Sequence, residues 1–273
     1  MGKKTVEGVC HICGDYGPLT FEHIPPRSAF NDRPVRMTEF VKAMEQKLGG
    51  KAGGRISQRG AGYFSLCATC NNNTGTWYAR SFASLTYQVA DMLMMTQFAR
   101  AIDFPYYLYP LRVLKQLAAM AFSLNWHEWQ QYHQELVRFV LNPHQRYLPE
   151  RYRFYLYLNI EGEYRSTSEA MTIFNLHTGS TMTSTELAFP PLGFVMTHMP
   201  ASQVDDRLVD ISYFANFEYD DFKMLHLGLH LLPTHVPIPG DYRSREQIDR
   251  EALESRIKAA QLKKERLLRE TLR

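Results

Sequence analysis

Apolar residues recur at steps of three and four from Tyr78 through Phe82, Leu85, Val89 and Met92 to Met95 or Thr96. That period predicts a helix with one buried face. It also predicts helices over Leu111 to Leu124, with Val113, Leu114, Leu117, Met120 and Ala121 on one side, and over Trp126 to Leu141. Phe104-Pro105-Tyr106 to Pro110 separates these from the first helix. A shorter helix is expected over Met37 to Leu48, where Phe40, Val41, Met44 and Leu48 share a face. Between Arg151 and Leu232 the pattern changes to runs of β-formers broken by Gly, Pro, Asn and Asp: Tyr152 to Leu158, Met171 to Phe174, Phe194 to Thr197 and Lys223 to Leu231. Short strands following helices predict an antiparallel sheet and an α+β fold. Ser244 then reads as the cap of a last helix, whose imperfect stripe of Ile248, Leu253, Ile257 and Ala260 lies among many Lys and Arg.

Three segments follow: 1–100, 101–240 and a charged helical tail over 241–273. At 273 residues, 45% hydrophobic and 22% charged, the chain is ordinary globular protein. No apolar run approaches the roughly eighteen residues of a membrane span, and the N-terminus lacks the apolar core of a signal peptide. The expected compartment is the cytoplasm, with no membrane partner. Residues 1–8 read as a short polar lead. Net charge is only +3, but residues 1–80 carry 11 Lys/Arg against 6 Asp/Glu, residues 81–240 carry 10 against 15, and residues 241–273 carry 10 against 7. The excess of positive charge in the first segment suits a phosphate backbone.

That segment also holds all four cysteines, as Cys10-x-x-Cys13 and Cys67-x-x-Cys70. A two-residue gap lets both sulfurs of a pair reach one ion from a tight turn, the usual arrangement for tetrahedral structural zinc. Two such pairs favour zinc over redox chemistry or disulfides. Between them stands Leu19-Thr20-Phe21-Glu22-His23-Ile24-Pro25-Pro26, and directly behind the second pair comes Asn71-Asn72-Asn73-Thr74-Gly75. Leu19 to Ile24 fits a short strand ended by the prolines. Taken singly, Glu22 and His23 read as surface residues or His23 as a further zinc donor, Asn71 and Asn72 as helix caps, and His11 as a solvated residue of the first cysteine turn.

In combination, Cys-x-x-Cys, then Glu-His-Ile-Pro, then Cys-x-x-Cys-Asn resembles the four-cysteine zinc variety of the HNH endonucleases, the ββα-metal or His-Me finger group. The resemblance implies a zinc-stabilised, treble-clef-like ββα-metal finger, followed here by a helical segment and a mainly antiparallel β domain. It implies that His23 is the general base, and that Glu22 and Asn71 are ligands of a catalytic divalent cation, Mg2+ or Mn2+. Hydrolysis of phosphodiesters in DNA follows, with RNA as a further substrate class, in a setting such as restriction or defence against foreign DNA. The family's acidic position is more often Asp, and Glu22 is a methylene longer. Its middle Asn, which braces the hairpin loop, is expected between Gly60 and Leu66, where none stands; Ser65 or a backbone group is the expected substitute. The whole chain is also similar to a group of bacterial proteins of comparable length, through Pro110 to Gln116 and Gly240 to Glu246, which names no substrate for the second segment.

Other features read more plainly. The Gly-rich stretch from Gly49 to Arg55, with Arg59 to Gly62, is either a pliable basic loop or a simple connection; with Arg27, its Lys51, Arg55 and Arg59 are candidate nucleic-acid contacts. Trp126, Trp129 and Tyr132 read as core rather than base-stacking platforms. His226 and His230 share one strand face and read as solvent-facing. The tail helix docks on the body, pairs with a second copy as a homodimer, or touches nucleic acid. The alternative function is a catalytically inactive, zinc-finger-like nucleic-acid-binding or regulatory protein, and a third is a protein-interaction factor.

Overall fold

The computed structural model describes residues 5–38, 42–43, 54–169, 172–175, 180–198 and 204–271. Lys51, and most of the helix expected over Met37 to Leu48, lie outside them. Within them the chain is α+β, with mainly antiparallel sheets and a C-terminal helix.

Strands β1 (Val6–Val9) and β2 (Tyr16–His23) form an antiparallel hairpin. The expected polar lead is therefore structured from Val6, because Val6 to Val9 find backbone partners along β2 from Leu19 to Tyr16. The chain leaves this sheet for a ribbon of β3 (Val35–Met37) and β4 (Arg55–Ser57), so Met37 ends a strand rather than opening a helix. It returns as β5 (Gly62–Cys67), which pairs with β2 from Leu19↔Cys67 to His23↔Gly62, with a register shift between Thr20 and Phe21.

Helix α1 (Ala68–Thr74) follows at once, widens into a π-helical turn over Gly75–Ala79, and continues as α2 (Arg80–Met95). Tyr78, Phe82, Leu85 and Val89 are buried as the periodicity predicts, but the stripe ends on Leu93, and Met95 is exposed. The segment after it is strand β6 (Ala101–Leu108), not only a helix break. Helix α3 (Pro110–Leu124), with Pro110 in its first turn, is buried on nearly every side and forms the centre of the molecule.

The helix expected over Trp126 to Leu141 is instead two short ones, α4 (Trp129–Tyr132) and α5 (Gln134–Leu141), interrupted at His133 (φ −123°, ψ 37°). Only Trp129 of the three aromatics named above is core; Trp126 is 40% and Tyr132 70% exposed.

Strands β7 (Tyr152–Leu158), β8 (Arg165–Thr167), β9 (Thr172–Asn175), β10 (Ser180–Phe189), β11 (Leu192–His198) and β12 (Val209–Asp210) make an antiparallel sheet in the order β12-β7-β11-β10-β8, with β9 on the far end of β10. Strand β13 (Lys223–His230) pairs with β6, and its His226 and His230 face solvent. One apolar core runs from Cys10 and Ile12 through α2 and α3 to Phe154, Phe194 and Leu229. Helix α6 (Arg245–Thr271) begins with a reciprocal cap: Gln247 N donates to Ser244 Oγ (3.2 Å) and Ser244 N to Gln247 Oε1 (2.8 Å). Its described side chains beyond Asp249 are exposed. Among the described residues no helix is long and apolar enough to cross a membrane.

Candidate functional site

The two cysteine pairs meet where the first sheet joins α1. Cys10 leaves β1 into a tight turn closed by Gly14 N donating to the Cys10 carbonyl and Cys10 N to that of Asp15, both 2.9 Å, with Gly14 at φ +81°. Cys67 ends β5, and Cys70 stands in the first turn of α1, its N–H directed at Cys67 Sγ (3.5 Å). All four sulfurs lie within 4.8 Å of one another, and Cys13 Sγ is 3.9 Å from Cys67 Sγ. A tetrahedral ion bonded to sulfur at about 2.3 Å sets its ligands roughly 3.8 Å apart, so the cluster is a candidate zinc-type site.

The thiols' electrostatics agree. A hydrogen bond from Cys70 draws Cys10 down to about 4, while giving that bond, together with burial, pushes Cys70 up. Burial pushes Cys13 up to about 12. Four thiols this close do not all ionise unless a cation lies among them. His11 is not a solvated residue of the turn: it is half-buried, and its Nδ1 donates to the Phe122 carbonyl (3.2 Å), fastening the turn to the end of α3.

Strand β2 runs from this cluster to an open cleft of about 530 Å³, bordered by Glu22, His23, Arg27, Asp32, Asn71 and Tyr87. The three residues singled out in the sequence thus line one cavity, although they come from a strand end and a helix start. His23 Nε2 lies 2.9 Å from the Arg59 carbonyl, which only accepts, so Nε2 carries the proton and Nδ1 keeps its lone pair. The Phe21 ring meets the imidazole edge-on at 5.0 Å. Burial and the neighbouring Arg27 and Arg59 charges hold His23 below the usual imidazole range, against the opposing Arg59 carbonyl. Asn71 Nδ2 donates to Thr20 Oγ1 (2.9 Å) and lies 3.4 Å from the Phe21 carbonyl, so Oδ1 is the amide's ligand atom. Glu22 loses water at the cleft floor, and burial raises its carboxyl to about 8. Gly75 and Ala79 of the π turn also border the cleft, a local widening that no periodicity announces.

The brace of the loop is a residue that sequence reasoning missed. Ser65 does not serve: among the described residues its buried hydroxyl has no hydrogen-bond partner. Asn31, fully buried and six residues beyond Pro25, takes the part. Its Nδ2 donates to the carbonyls of Pro25 (2.6 Å) and Ala61 (2.8 Å), and its Oδ1 accepts from Ala61 N (2.7 Å). It therefore ties the exit of β2 to the entry of β5, just beyond His23 and its partner Gly62. Gly60 and Gly62 supply close approach here rather than compliance. Gly60 has φ +92°, and a Cβ there would lie 2.5 Å from Asn31 Oδ1; one on Gly62 would lie 2.1 Å from the Glu22 carbonyl.

Arg27, Arg55 and Arg59 are exposed, and Arg27 borders the cleft. Asp32 is a carboxylate at the same opening that the motif did not announce. No family model matches the chain, and no curated protein and no solved structure matches it.

Proposed function

We propose that the protein is a metal-dependent endonuclease of the HNH type, hydrolysing phosphodiester bonds in DNA, with β2, β5 and α1 as its zinc-stabilised, treble-clef-like ββα-metal finger. What carries this reading is the convergence of His23, Glu22 and Asn71 on one cleft, with His23 held in the tautomer that a base requires. Nδ1 of His23 takes the proton of the attacking water, while the Arg59 carbonyl keeps the ring in place and the nearby guanidinium charges keep it neutral before reaction. Glu22 and the Asn71 amide oxygen would hold a magnesium or manganese ion, hard cations that prefer oxygen donors. When bound, that ion supplies positive charge for the non-bridging and departing 3′ oxygens of the phosphodiester. Arg27, and the exposed Arg55 and Arg59, hold the flanking phosphates.

The alternative, a zinc-stabilised nucleic-acid-binding module without catalysis, has one observation in its favour: with its carboxyl raised to about 8, Glu22 holds a proton at neutral pH until a cation displaces it. Plasmid nicking in magnesium or manganese, by wild type and His23→Ala, separates the two. Catalysis predicts cleavage by wild type, and its loss in a variant that keeps its zinc and its fold. DNA binding by both proteins with no cleavage in any divalent metal would support the alternative.

A further inference from the structure

We propose that His133, Glu169 and His198 form a second metal site, built for a transition-metal cation of the zinc class and independent of the four cysteines. The three residues come from the break between α4 and α5, the segment after β8 and the end of β11, and one donor atom of each lies within 4.8 Å of the others. Two imidazoles and one carboxylate make a nitrogen-rich set that suits zinc-like ions and disfavours magnesium or calcium.

Charge and geometry both point to a cation among them. The side chains of His133 and Glu169 are 3% and 9% exposed, and among the described residues the ion-pair partners of Glu169 are the two histidines alone. A buried carboxyl is either neutralised by a proton of its own or balanced by a positive charge, from a proton on one ring or from a metal. A proton shared along an N–H···O line is not what the rings show. His198 Nδ1 is 2.9 Å from Glu169 Oε1, yet it is buried and makes no hydrogen bond among the described residues. His133 Nε2 is 3.3 Å from Glu169 Oε2. Donor atoms bonded at about 2.0–2.1 Å to a tetrahedral ion stand roughly 3.4 Å apart, and the three donor atoms here all lie within 4.8 Å of one another.

The surroundings are those of held ligands. His133 Nδ1 lies 2.8 Å from the Tyr152 hydroxyl, so an Nδ1–H donated to that oxygen leaves the Nε2 lone pair facing the site. Trp129 stacks on the same ring at 3.8 Å, and its Nε1–H donates to Glu169 Oε2, leaving Oε1 for an ion. Asn125, buried at the end of α3, accepts from Glu169 N (2.6 Å) and donates to Thr185 Oγ1 (2.9 Å), which fixes the carboxylate's backbone to α3 and β10. An ion here cross-links three segments that are remote in the chain.

The test is the zinc content of full-length protein, purified without chelator, as wild type, Glu169→Gln and His198→Gln, with Cys70→Ser as the reference for the other cluster. The site predicts that each of the two variants carries one zinc per chain fewer than wild type, with an unchanged circular dichroism spectrum. Equal zinc content in wild type and both folded variants would overturn it. Where a variant does not fold, zinc X-ray absorption of the wild type decides. Imidazole scattering beside the sulfur shell supports the site, because the proposed catalytic ligands Glu22 and Asn71 supply no imidazole, and a sulfur-only shell overturns it.

Discussion

Replacing Asn31 with Ala isolates what a single side chain does for the hairpin that carries His23. The change removes three hydrogen bonds inside a fully buried site: two donated by Nδ2 to the carbonyls of Pro25 and Ala61, and one accepted by Oδ1 from Ala61 N. The three groups are not equally orphaned. The Ala61 carbonyl still accepts from Ile24 N at 3.0 Å, whereas the Pro25 carbonyl and the Ala61 N–H lose the partner that Asn31 gave them. At about 1–3 kcal/mol for each of the two buried polar groups left unpaired, the expected loss is about 2–6 kcal/mol. Against a typical total of about 5–15 kcal/mol, the variant folds over most of that range. Urea unfolding followed by circular dichroism gives the stability, and plasmid nicking gives the activity. Because Asn31 holds together the two strands that place His23 and Gly62, cleavage should fall at least tenfold in conditions where the variant remains folded and keeps its zinc. Asn31→Asp sharpens the result: Oδ1 is kept for Ala61 N, but an acceptor now faces two carbonyls, so it too should lose stability. A change below about 0.5 kcal/mol with full cleavage would refute the bracing role.

Other perturbations follow from the same geometry. Gly62→Ala puts a Cβ 2.1 Å from the Glu22 carbonyl, so β5 must move off β2; cleavage should drop more than tenfold while zinc content holds, and full activity would show that the register is dispensable. Glu186→Gln strips the charge from a pair with Arg165 at 2.7 Å, side chains 4% and 1% exposed, to which Tyr157 and Tyr242 also donate; a loss of about 3–5 kcal/mol in urea unfolding is expected, and a neutral result would contradict the pairing. Lys115 is wholly buried, and burial pushes its amine down to about 7 from the ordinary 10.5. The unfolded chain then binds more protons between pH 7 and 10.5, so wild type should gain stability relative to Lys115→Met as pH rises through that window. An amine without its charge keeps two N–H bonds for the Phe139 and Asn142 carbonyls, 2.6 and 2.5 Å away. A flat difference between the two urea midpoints across that range would refute the shift.

Much of this architecture is legible in the chain because periodicity and punctuation are local. The extents of α3, β7 and β13 follow from apolar spacing, and the start of α6 from its cap Ser244. What escapes is set by partners remote in sequence. Ala101–Leu108 alternates at Ile102, Phe104, Tyr106 and Leu108, but Pro105 reads as a break, and the segment is held extended by pairing with Lys223–His230. The break at His133 coincides with a ring whose contacts are Tyr152 and Glu169, residues no local rule connects. At the cleft, the Cys-x-x-Cys pairs and Glu22-His23 stand out by spacing, whereas Asn31 is one of three consecutive polar residues, Asn31-Asp32-Arg33, in a loop. Its role appears only when Pro25 and Ala61 are seen on either side of it.

The proposed chemistry stands on Glu22 and Asn71 holding a divalent cation beside His23. The most direct measurement is the anomalous signal of manganese in crystals of the zinc-loaded His23→Ala protein with a DNA duplex, where the substrate survives. A manganese peak is expected in the cleft, bonded to a Glu22 carboxylate oxygen, to Asn71 Oδ1 and to a phosphate oxygen. A cleft without manganese at saturating metal, or a peak whose ligands include neither Glu22 nor Asn71, would contradict it.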